Sequence, residues 1–241
     1  MHRRIAPLAL AAVAALAAPA AATAAESGTP ILGPSRLTPE QIAAWYDATG
    51  ITSRIDLPVV NLARLFVQEG DAQGVRGDLA FAQAMLETGY LRYGGLVKPT
   101  DNNYSGLGAC DSCSNGLHFP TARDGVRAQI QHLWAYGDPA AAQTGLARPL
   151  ADIRFDLVQP PGKAPVWERM GGGNWATDRE YAGKVLGIYA KMLAFAGLTP
   201  DTGAPVADTG PLRVAVNRTG AVRLGPVRAR TRPLADAVAG L

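Results

Sequence analysis

Glu87 is the residue whose position in the sequence best suits acid catalysis. It lies in the last turn of a helix predicted from Leu79 to Thr88, beside the apolar side chains of Phe81 and Met85. Apolar neighbours strip water from a carboxylate, and the unpaired carbonyl groups of a helix end carry partial negative charge, so both disfavour the charged form. The sequence therefore predicts a raised pKa for Glu87, the property that a general acid needs near neutral pH. A solvated glutamate at a helix end is the alternative interpretation.

Three segments, in order, resemble the landmarks of a known enzyme family. They are residues 83–90 (QAMLETGY), 102–108 (NNYSGLG) and 175–184 (WATDREYAGK). Over roughly residues 55–196 the sequence resembles the bacterial endo-β-N-acetylglucosaminidases of glycoside hydrolase family 73. The resemblance implies a mainly α-helical, lysozyme-like domain with a substrate cleft beside a small hairpin lobe, shortened here. It also implies that the substrate is peptidoglycan, cut after N-acetylglucosamine, and that no cofactor takes part.

The resemblance also implies roles for individual residues. Glu87 matches the catalytic acid that protonates the departing glycosidic oxygen, and residues 102–104 match the motif that enters the cleft. The predicted substrate-binding side chains are Tyr90, Asn102, Asn103, Tyr104, Trp175 and Tyr181. For the aromatic residues in or beside irregular segments, Tyr90, Trp167 and Trp175, packing in the core is the alternative to stacking on sugars.

Two features depart from the family pattern. Trp175 stands where the family usually has a tyrosine, and an indole offers no hydroxyl, so Tyr104 and Tyr181 are candidates to supply one. Family members often carry a second acid on the hairpin, for which Asp111 is preferred here over Asp124, a better candidate for a helix cap. A carboxylate nucleophile, a carboxylate that activates water and the substrate's own 2-acetamido group all remain open as the second catalytic group.

Cys110 and Cys113 are the two cysteines of the chain and form a C-x-x-C pair. Because the pair follows an export signal and no βαβ pattern surrounds it, the sequence predicts a short disulfide at the hairpin tip, with redox work or metal binding as alternatives. A zinc site would need His118 and His132, whose spacing matches no finger or ribbon. No metal is therefore predicted.

The N-terminus has the three regions of a secretory signal peptide. Arg3 and Arg4 precede an alanine- and leucine-rich run, and small residues lead to a cleavage site near Ala24 or Ala25. The run is shorter and less apolar than a membrane span requires. Residues 1–25 are thus predicted to be removed on export, leaving a secreted or wall-associated protein with no stable membrane insertion.

Charge is unevenly distributed along the chain, whose formal net charge is +3. Residues 26–200 carry 15 basic and 17 acidic groups, which excludes a core that binds nucleic acid, since phosphate contacts need a basic face. Residues 201–241 hold six arginines and few large apolar residues at any helical or strand period, so a disordered basic tail is predicted.

A single domain over residues 38–200, after a leader at 26–37, is predicted to position the candidate residues. Apolar periodicity and capping residues predict five helices. Their ranges are 38–49, 58–69, 79–88 with Asp78 as the cap, one starting near 121, and 177–197. Glycine- and proline-rich segments at 94–120 and 148–176 interrupt them. Glu69 and Glu168 are interpreted as surface residues.

Two other functions remain open beside that of a hydrolase. The missing clear second acid, together with Trp175, is compatible with a non-catalytic wall-binding module on the same scaffold. A lytic transglycosylase, in which an internal hydroxyl of the substrate replaces water and one glutamate suffices, is the other.

Overall fold

The third of five α-helices is the central element of the domain. The computed structural model describes residues 27–109 and 116–200, and within them the helices are α1 (Pro39–Ala48), α2 (Val59–Gln73), α3 (Gly77–Glu87), α4 (Ala122–Gly137) and α5 (Tyr181–Phe195). Every residue of α3 from Gly77 to Met85 is buried. Helices α2, α4 and α5 pack against α3, and α1 packs on α2. The predicted mainly α fold is confirmed.

The helix ends follow from residues that the sequence displays. The Thr38 side chain caps α1 by accepting a hydrogen bond from the backbone N–H of Gln41, and the Gln41 side chain accepts one from the backbone N–H of Thr38. Thr121 caps α4 by accepting from the backbone of Asp124. Asp124 thus takes part in the cap of α4 through its hydrogen bonds with Thr121. No helix in the described part of the chain is long and apolar enough to cross a bilayer.

Helix α2 is longer than predicted and buries a charged residue. It continues four residues beyond Glu69 to Gln73 and is capped by Gly74, which adopts the left-handed conformation. The carboxylate of Glu69 is buried and accepts hydrogen bonds from Arg123 at 2.5 Å and from Arg127 at 2.9 Å, both on α4. The interpretation of Glu69 as a surface residue was therefore wrong, because its partners come from a distant helix.

The starts of α3 and α5 also differ from the prediction. Arg76 is the residue that precedes α3, while Asp78 lies within its first turn and is fully buried. The Asp78 carboxylate accepts hydrogen bonds from the backbone of Arg36, from the hydroxyl of Tyr189 and from the backbone N–H of Leu79, so it connects distant segments to the first turn of its own helix. Helix α5 begins at Tyr181, since the preceding residues form a turn.

Residues 27–37 belong to the folded domain rather than to a separate leader. Ile31 is fully buried, and its backbone N–H donates to the carbonyl of Pro165 at 3.0 Å. Isolated β-bridges join Pro30 to Val166 and Leu32 to Val75. The Glu168 carboxylate accepts the backbone N–H of Thr29 at 2.8 Å, which corrects its interpretation as an unengaged surface acid. This N-terminal segment therefore joins the start of α3 to the loop before α5.

The backbone of residues 94–109 and 116–120 is irregular, and most of the predicted hairpin lies outside the described residues. A short 3-10 turn at Pro99–Asp101 leads into the segment. Backbone hydrogen bonds such as that from the N–H of Leu117 to the carbonyl of Leu107, at 2.8 Å, hold its two described arms together without a strand ladder. Asn102 packs on α4, where its carbonyl oxygen would lie 1.7 Å from a Cβ at position 125, so only glycine fits there. The cysteine pair, Asp111, the predicted signal peptide and the predicted tail lie outside the described residues.

Candidate active site

An open groove of about 1110 Å³ runs across the C-terminal end of α3. Its walls come from three further parts of the chain, residues 52–54, 88–109 and 175–184. Pockets for small ligands are usually roughly 300–1,000 Å³, so this open volume suits several units of a polymer. The 94–120 segment and the loop before α5 thus meet at the end of the most deeply buried helix.

Glu87, the last residue of α3, lies in this groove and is partly buried. Its Oε1 atom accepts two hydrogen bonds, from the hydroxyl of Tyr181 at 2.5 Å and from the indole N–H of Trp175 at 3.1 Å. Both donors come from the third predicted landmark segment. The structure therefore brings Glu87, Trp175 and Tyr181 into direct contact. In the sequence they belong to two landmark segments that are far apart.

Burial raises the pKa of Glu87 above its ordinary value. The hydrogen bonds from Tyr181 and Trp175 act in the opposite direction, because both favour the carboxylate, but they do not cancel the loss of solvent. The direction agrees with the sequence prediction. A larger fraction of Glu87 is therefore protonated near neutral pH than of an exposed glutamate.

The second carboxyl oxygen of Glu87 faces glycine. A Cβ atom at Gly106 would lie 3.5 Å from Oε2, and Gly106 has a φ of +68°, a conformation that side chains with a Cβ rarely adopt. Since Oε1 is occupied as an acceptor by two donors, the proton of the neutral acid belongs on Oε2. The acidic hydrogen is thus directed to the part of the groove that Gly106 leaves open.

A buried chain of polar groups supports Tyr181. Its hydroxyl accepts a hydrogen bond from the amide of Gln83 at 2.8 Å while donating to Glu87, and Gln83 in turn accepts from Gln129 at 2.8 Å. Burial and the negative charge of Glu87 raise the pKa of Tyr181 well above its ordinary value. The phenol therefore keeps its proton and acts as a fixed donor to Glu87.

Trp175 is held by a second polar pair. Its ring packs edge-on against His132 at a centroid distance of 5.3 Å, and Nδ1 of His132 lies 2.6 Å from the carboxylate of Asp152. Trp175 lines the groove and remains partly exposed. Trp167, by contrast, is fully buried, so for this tryptophan the core interpretation is the correct one.

Four of the predicted substrate-binding residues lie elsewhere. Tyr90 packs against Trp45, and the other three shape the loop: Asn102, Asn103 and Tyr104 do not line the groove. The amide of Asn103 donates to two loop carbonyl groups, and Tyr104 is buried. In this structure the amides of Asn102 and Asn103 hold the loop backbone, and the ring of Tyr104 packs against Phe66. Of the two tyrosines considered as hydroxyl donors, Tyr181 is the one beside Glu87.

Acids other than Glu87 are scarce in the described lining of the groove. Asp178 is the other carboxylate there, and it is bound to the ammonium of Lys184 at 2.6 Å. Hydrogen bonds from Lys184 and from the backbone of Glu180 lower the pKa of Asp178, so it stays ionised. Ala109, two positions before Asp111, also lines the groove.

The two histidines of the described residues lie in different pairs. His118 is near Asp101, at 3.5 Å, while His132 is bound to Asp152. Within the described ranges no three side chains of histidine, cysteine, aspartate or glutamate are grouped as a metal site.

Sequence reasoning missed several residues that line the groove. Tyr93 and Ser105 are among them, and Arg54 and Arg92 contribute cationic side chains. The hydroxyl groups of Tyr93 and Ser105 are buried and have no hydrogen-bond partner among the described residues. Gly89, which has a φ of +57°, is the local sign in the sequence that this loop begins with an unusual backbone conformation.

Comparison with known proteins gives two matches. Residues 63–194 match the sequence model of the family described as Glucosaminidase, mannosyl-glycoprotein endo-beta-N-acetylglucosaminidase. The chain is also similar to a Borreliella burgdorferi protein described only as uncharacterized, with 34% identity over 146 residues, 60% of this chain and 69% of the relative. The family match at residues 63–194 includes α3 and α4 and, in the groove, Glu87, Trp175 and Tyr181.

Proposed function

Since the chain belongs to the glucosaminidase family, and this family indicates a glycosidase of peptidoglycan, we propose that it hydrolyses the β-1,4 bond after N-acetylglucosamine with Glu87 as general acid. The observation that carries the proposal is the state of Glu87. This carboxyl group has a raised pKa, lies in a groove of polymer size and presents Oε2 beside Gly106.

Proton transfer to the glycosidic oxygen is the step that Glu87 performs. The neutral acid donates its Oε2 hydrogen as the bond to the anomeric carbon breaks, and the departing sugar leaves as an alcohol. Tyr181 and Trp175, which hydrogen-bond to Oε1, stabilise the carboxylate that this step produces. The same two donors fix the orientation of the carboxyl plane, so the acidic hydrogen points to one place.

The second catalytic group is proposed to be Asp111. Ala109 lies in the groove two positions earlier in the chain, and Asp178, the other carboxylate of the described lining, is already bound to Lys184. As a nucleophile, Asp111 would bond to the anomeric carbon and water would later displace it; as a base, it would take a proton from the water that attacks that carbon. Participation of the substrate's acetamido group is the alternative that needs no second acid.

Export is part of the proposal and rests on the N-terminal residues. The basic start, the alanine- and leucine-rich run and the small residues near Ala24 are those of a cleaved signal peptide. The mature protein would act on the cell wall outside the membrane.

The decisive experiment digests purified sacculi with the chain from residue 26 onward and analyses the products by mass spectrometry after borohydride reduction. Reduced N-acetylglucosamine ends support the proposal. Anhydromuramic ends would instead identify a lytic transglycosylase, and reduced muramic ends a muramidase. A folded protein that pellets with sacculi but releases nothing would identify a binding module.

The Glu87→Gln variant tests the residue assignment in the same assay. Glutamine keeps both acceptor contacts at Oε1 but has no acidic hydrogen, so activity should fall by about 10²- to 10⁴-fold. Glu180→Gln is the matched control, because Glu180 is an exposed acid just before α5 and lies outside the groove lining. Full activity in Glu87→Gln would refute the assignment.

A further inference from the structure

We propose that Arg54 and Arg92 form a recognition site for the carboxylates carried by muramyl residues, and so make the groove selective for peptidoglycan over neutral glycans. This inference rests on the proposed function, because it concerns the same groove. Both arginines line the groove and are exposed.

The two arginines belong to one hydrogen-bonded unit. Nη1 of Arg54 donates to the backbone carbonyl of Arg92 at 3.3 Å, and Nε of Arg92 donates to the carbonyl of Gly89 at 3.0 Å. The backbone N–H of Arg54 also donates to the carbonyl of Leu91 at 2.9 Å. Each guanidinium has five donor hydrogens, so several remain on each for a ligand. Among the described residues neither arginine is in an ion pair.

Arg92 is presented by a loop with an unusual and well-fixed backbone. Tyr90, Leu91 and Tyr93 all have positive φ angles between 51° and 61°, which cost free energy for residues with a Cβ. Leu91 is fully buried, and the N–H groups of Tyr90 and Tyr93 donate to the carbonyls of Met85 and Thr88 at 2.7 and 2.8 Å. Strained loops held in this way occur at binding sites, where a fixed side-chain position is useful.

The charge balance of the groove leaves these arginines uncompensated. The other charged residues of its described lining are Glu87, Asp178 and Lys184, and the last two neutralise each other. Glu87 is shifted toward its neutral form. Residues 26–200 as a whole carry more acidic than basic groups, 17 against 15, so the cationic wall is local and does not follow from the overall charge.

The chemistry of the substrate supplies a partner for this wall. A chain of N-acetylglucosamine alone is neutral, whereas each muramyl residue carries a lactyl group that ends in a carboxylate or is joined to a peptide with carboxylates of its own. A guanidinium matches a carboxylate with two parallel hydrogen bonds. Arg54 and Arg92 therefore read a feature that distinguishes peptidoglycan from a neutral β-1,4 glycan.

The test compares soluble peptidoglycan fragments in charged and neutral forms. One preparation keeps its peptide stems, and a second has lost them to an amidase, leaving free lactyl carboxylates. Part of each is coupled to methylamine with a carbodiimide, which converts carboxylates into neutral amides. Binding is measured by titration calorimetry and cleavage by the appearance of reducing ends. The proteins are the unsubstituted chain from residue 26 onward, the double variant Arg54→Gln/Arg92→Gln, and Arg148→Gln as an exposed arginine outside the groove.

The unsubstituted protein should bind the charged fragments about tenfold more tightly than their amides, because each exposed ion pair contributes up to about fivefold. The double variant should lose this preference through a higher Kd and KM with little change in kcat, whereas Arg148→Gln keeps it. Added salt should weaken the preference. Preference for the amidase-treated glycan would assign the lactyl carboxylate, and preference for the stem-bearing glycan alone would assign the peptide.

Equal binding of charged and amidated fragments, or a preference that survives in the double variant, would overturn the arginine site. Cleavage without any charge preference would leave the proposed hydrolase intact and remove this inference. A charge preference without cleavage would support the arginine site and count against the proposed hydrolase. No binding of any fragment would count against both.

Discussion

The hydroxyl of Tyr181 lies 2.5 Å from Oε1 of Glu87, although 94 residues separate them in the chain. This contact joins the end of α3 to the start of α5 and sets which carboxyl oxygen of Glu87 can hold the proton. Trp175 reaches the same oxygen, so Oε2 alone faces Gly106. The acid function proposed for Glu87 thus depends on two donors from one distant segment.

Glu87→Gln is expected to make the protein more stable at neutral pH. The folded-state pKa of Glu87 is raised, so the folded protein binds the proton more tightly than the unfolded chain, and stability falls as pH rises from the ordinary carboxyl value through the raised one. Glutamine is neutral throughout. The Tm of the variant relative to the unsubstituted protein should therefore increase over that pH range and show no gain at lower pH. Calorimetric scans with Glu180→Gln as control measure this; a gain that shrinks as pH rises would contradict it.

Tyr181→Phe should shift the pH dependence of catalysis. Loss of the hydroxyl removes a hydrogen bond that lowers the pKa of Glu87, so the alkaline limb of the kcat profile should move to higher pH. The buried amide of Gln83 also loses its acceptor, which should cost about 1–3 kcal/mol of stability.

Trp175→Phe is the matched comparison for Tyr181→Phe. It removes the other donor to Glu87 without leaving the Gln83 amide unpaired, so the limb should move in the same direction with no such amide penalty. Movement to lower pH in either variant would show that these donors do not act on Glu87 as described.

Glu69→Gln should destabilise the domain by about 3 kcal/mol while leaving catalysis unchanged. Burial opposes the charge of Glu69, but the hydrogen bonds from Arg127 and Arg123 outweigh it and lower the pKa. The stabilising contribution is thus present above the ordinary carboxyl pKa and is lost as pH falls through the lowered value.

Urea titrations of Glu69→Gln at neutral and acidic pH would measure both effects. Glu40→Gln is the control, since the Glu40–Arg64 pair is exposed and contributes about 0–1 kcal/mol. Equal losses in the two variants would mean that the hydrogen bonds of Arg123 and Arg127 to the buried Glu69 add nothing.

Gly125→Ala should disrupt the loop beside the groove. The new Cβ would lie 1.7 Å from the carbonyl oxygen of Asn102, a backbone atom, so the loop must move away from α4. We expect a loss of about 3 kcal/mol and reduced activity. Gly187→Ala on α5 is the control, because a Cβ there meets nothing within 4 Å. This substitution should raise the free energy of unfolding by about 0.5–1 kcal/mol. Unchanged stability and activity in Gly125→Ala would refute this account of the loop.

Local sequence patterns were sufficient to predict that these five segments are helical and that Glu87 lies at the end of α3. The capping box at Thr38, the apolar period of α4 and α5, and a glutamate beside apolar residues at a helix end are all encoded within one or two turns. Such patterns determine which backbone segments become helical and which faces are buried. They also gave the direction of the Glu87 pKa, because desolvation depends on its immediate neighbours.

Long-range partners were what the sequence did not disclose. Glu69 looks like any helical glutamate until Arg123 and Arg127 arrive from α4, and Asp78 looks like a cap until Tyr189 contacts it. Asn103 matched a cleft motif, yet its amide donates hydrogen bonds to carbonyl groups of its own loop. These outcomes depend on which segments meet in three dimensions, and periodicity carries no information about that.

The packing of the N-terminal segment has a consequence for the order of folding during synthesis. Thr29 and Ile31 find their partners at Glu168 and Pro165, which are made more than 130 residues later. A growing chain can form α1, α2 and α3 early, and residues 31–33 can then pair with residues 74–76. The contacts of Thr29 and Ile31 with Glu168 and Pro165 form only after the segment before α5 has emerged. Packing of this N-terminal segment is thus completed late, so a chain cut short before residue 165 would leave Ile31 without part of its native cover.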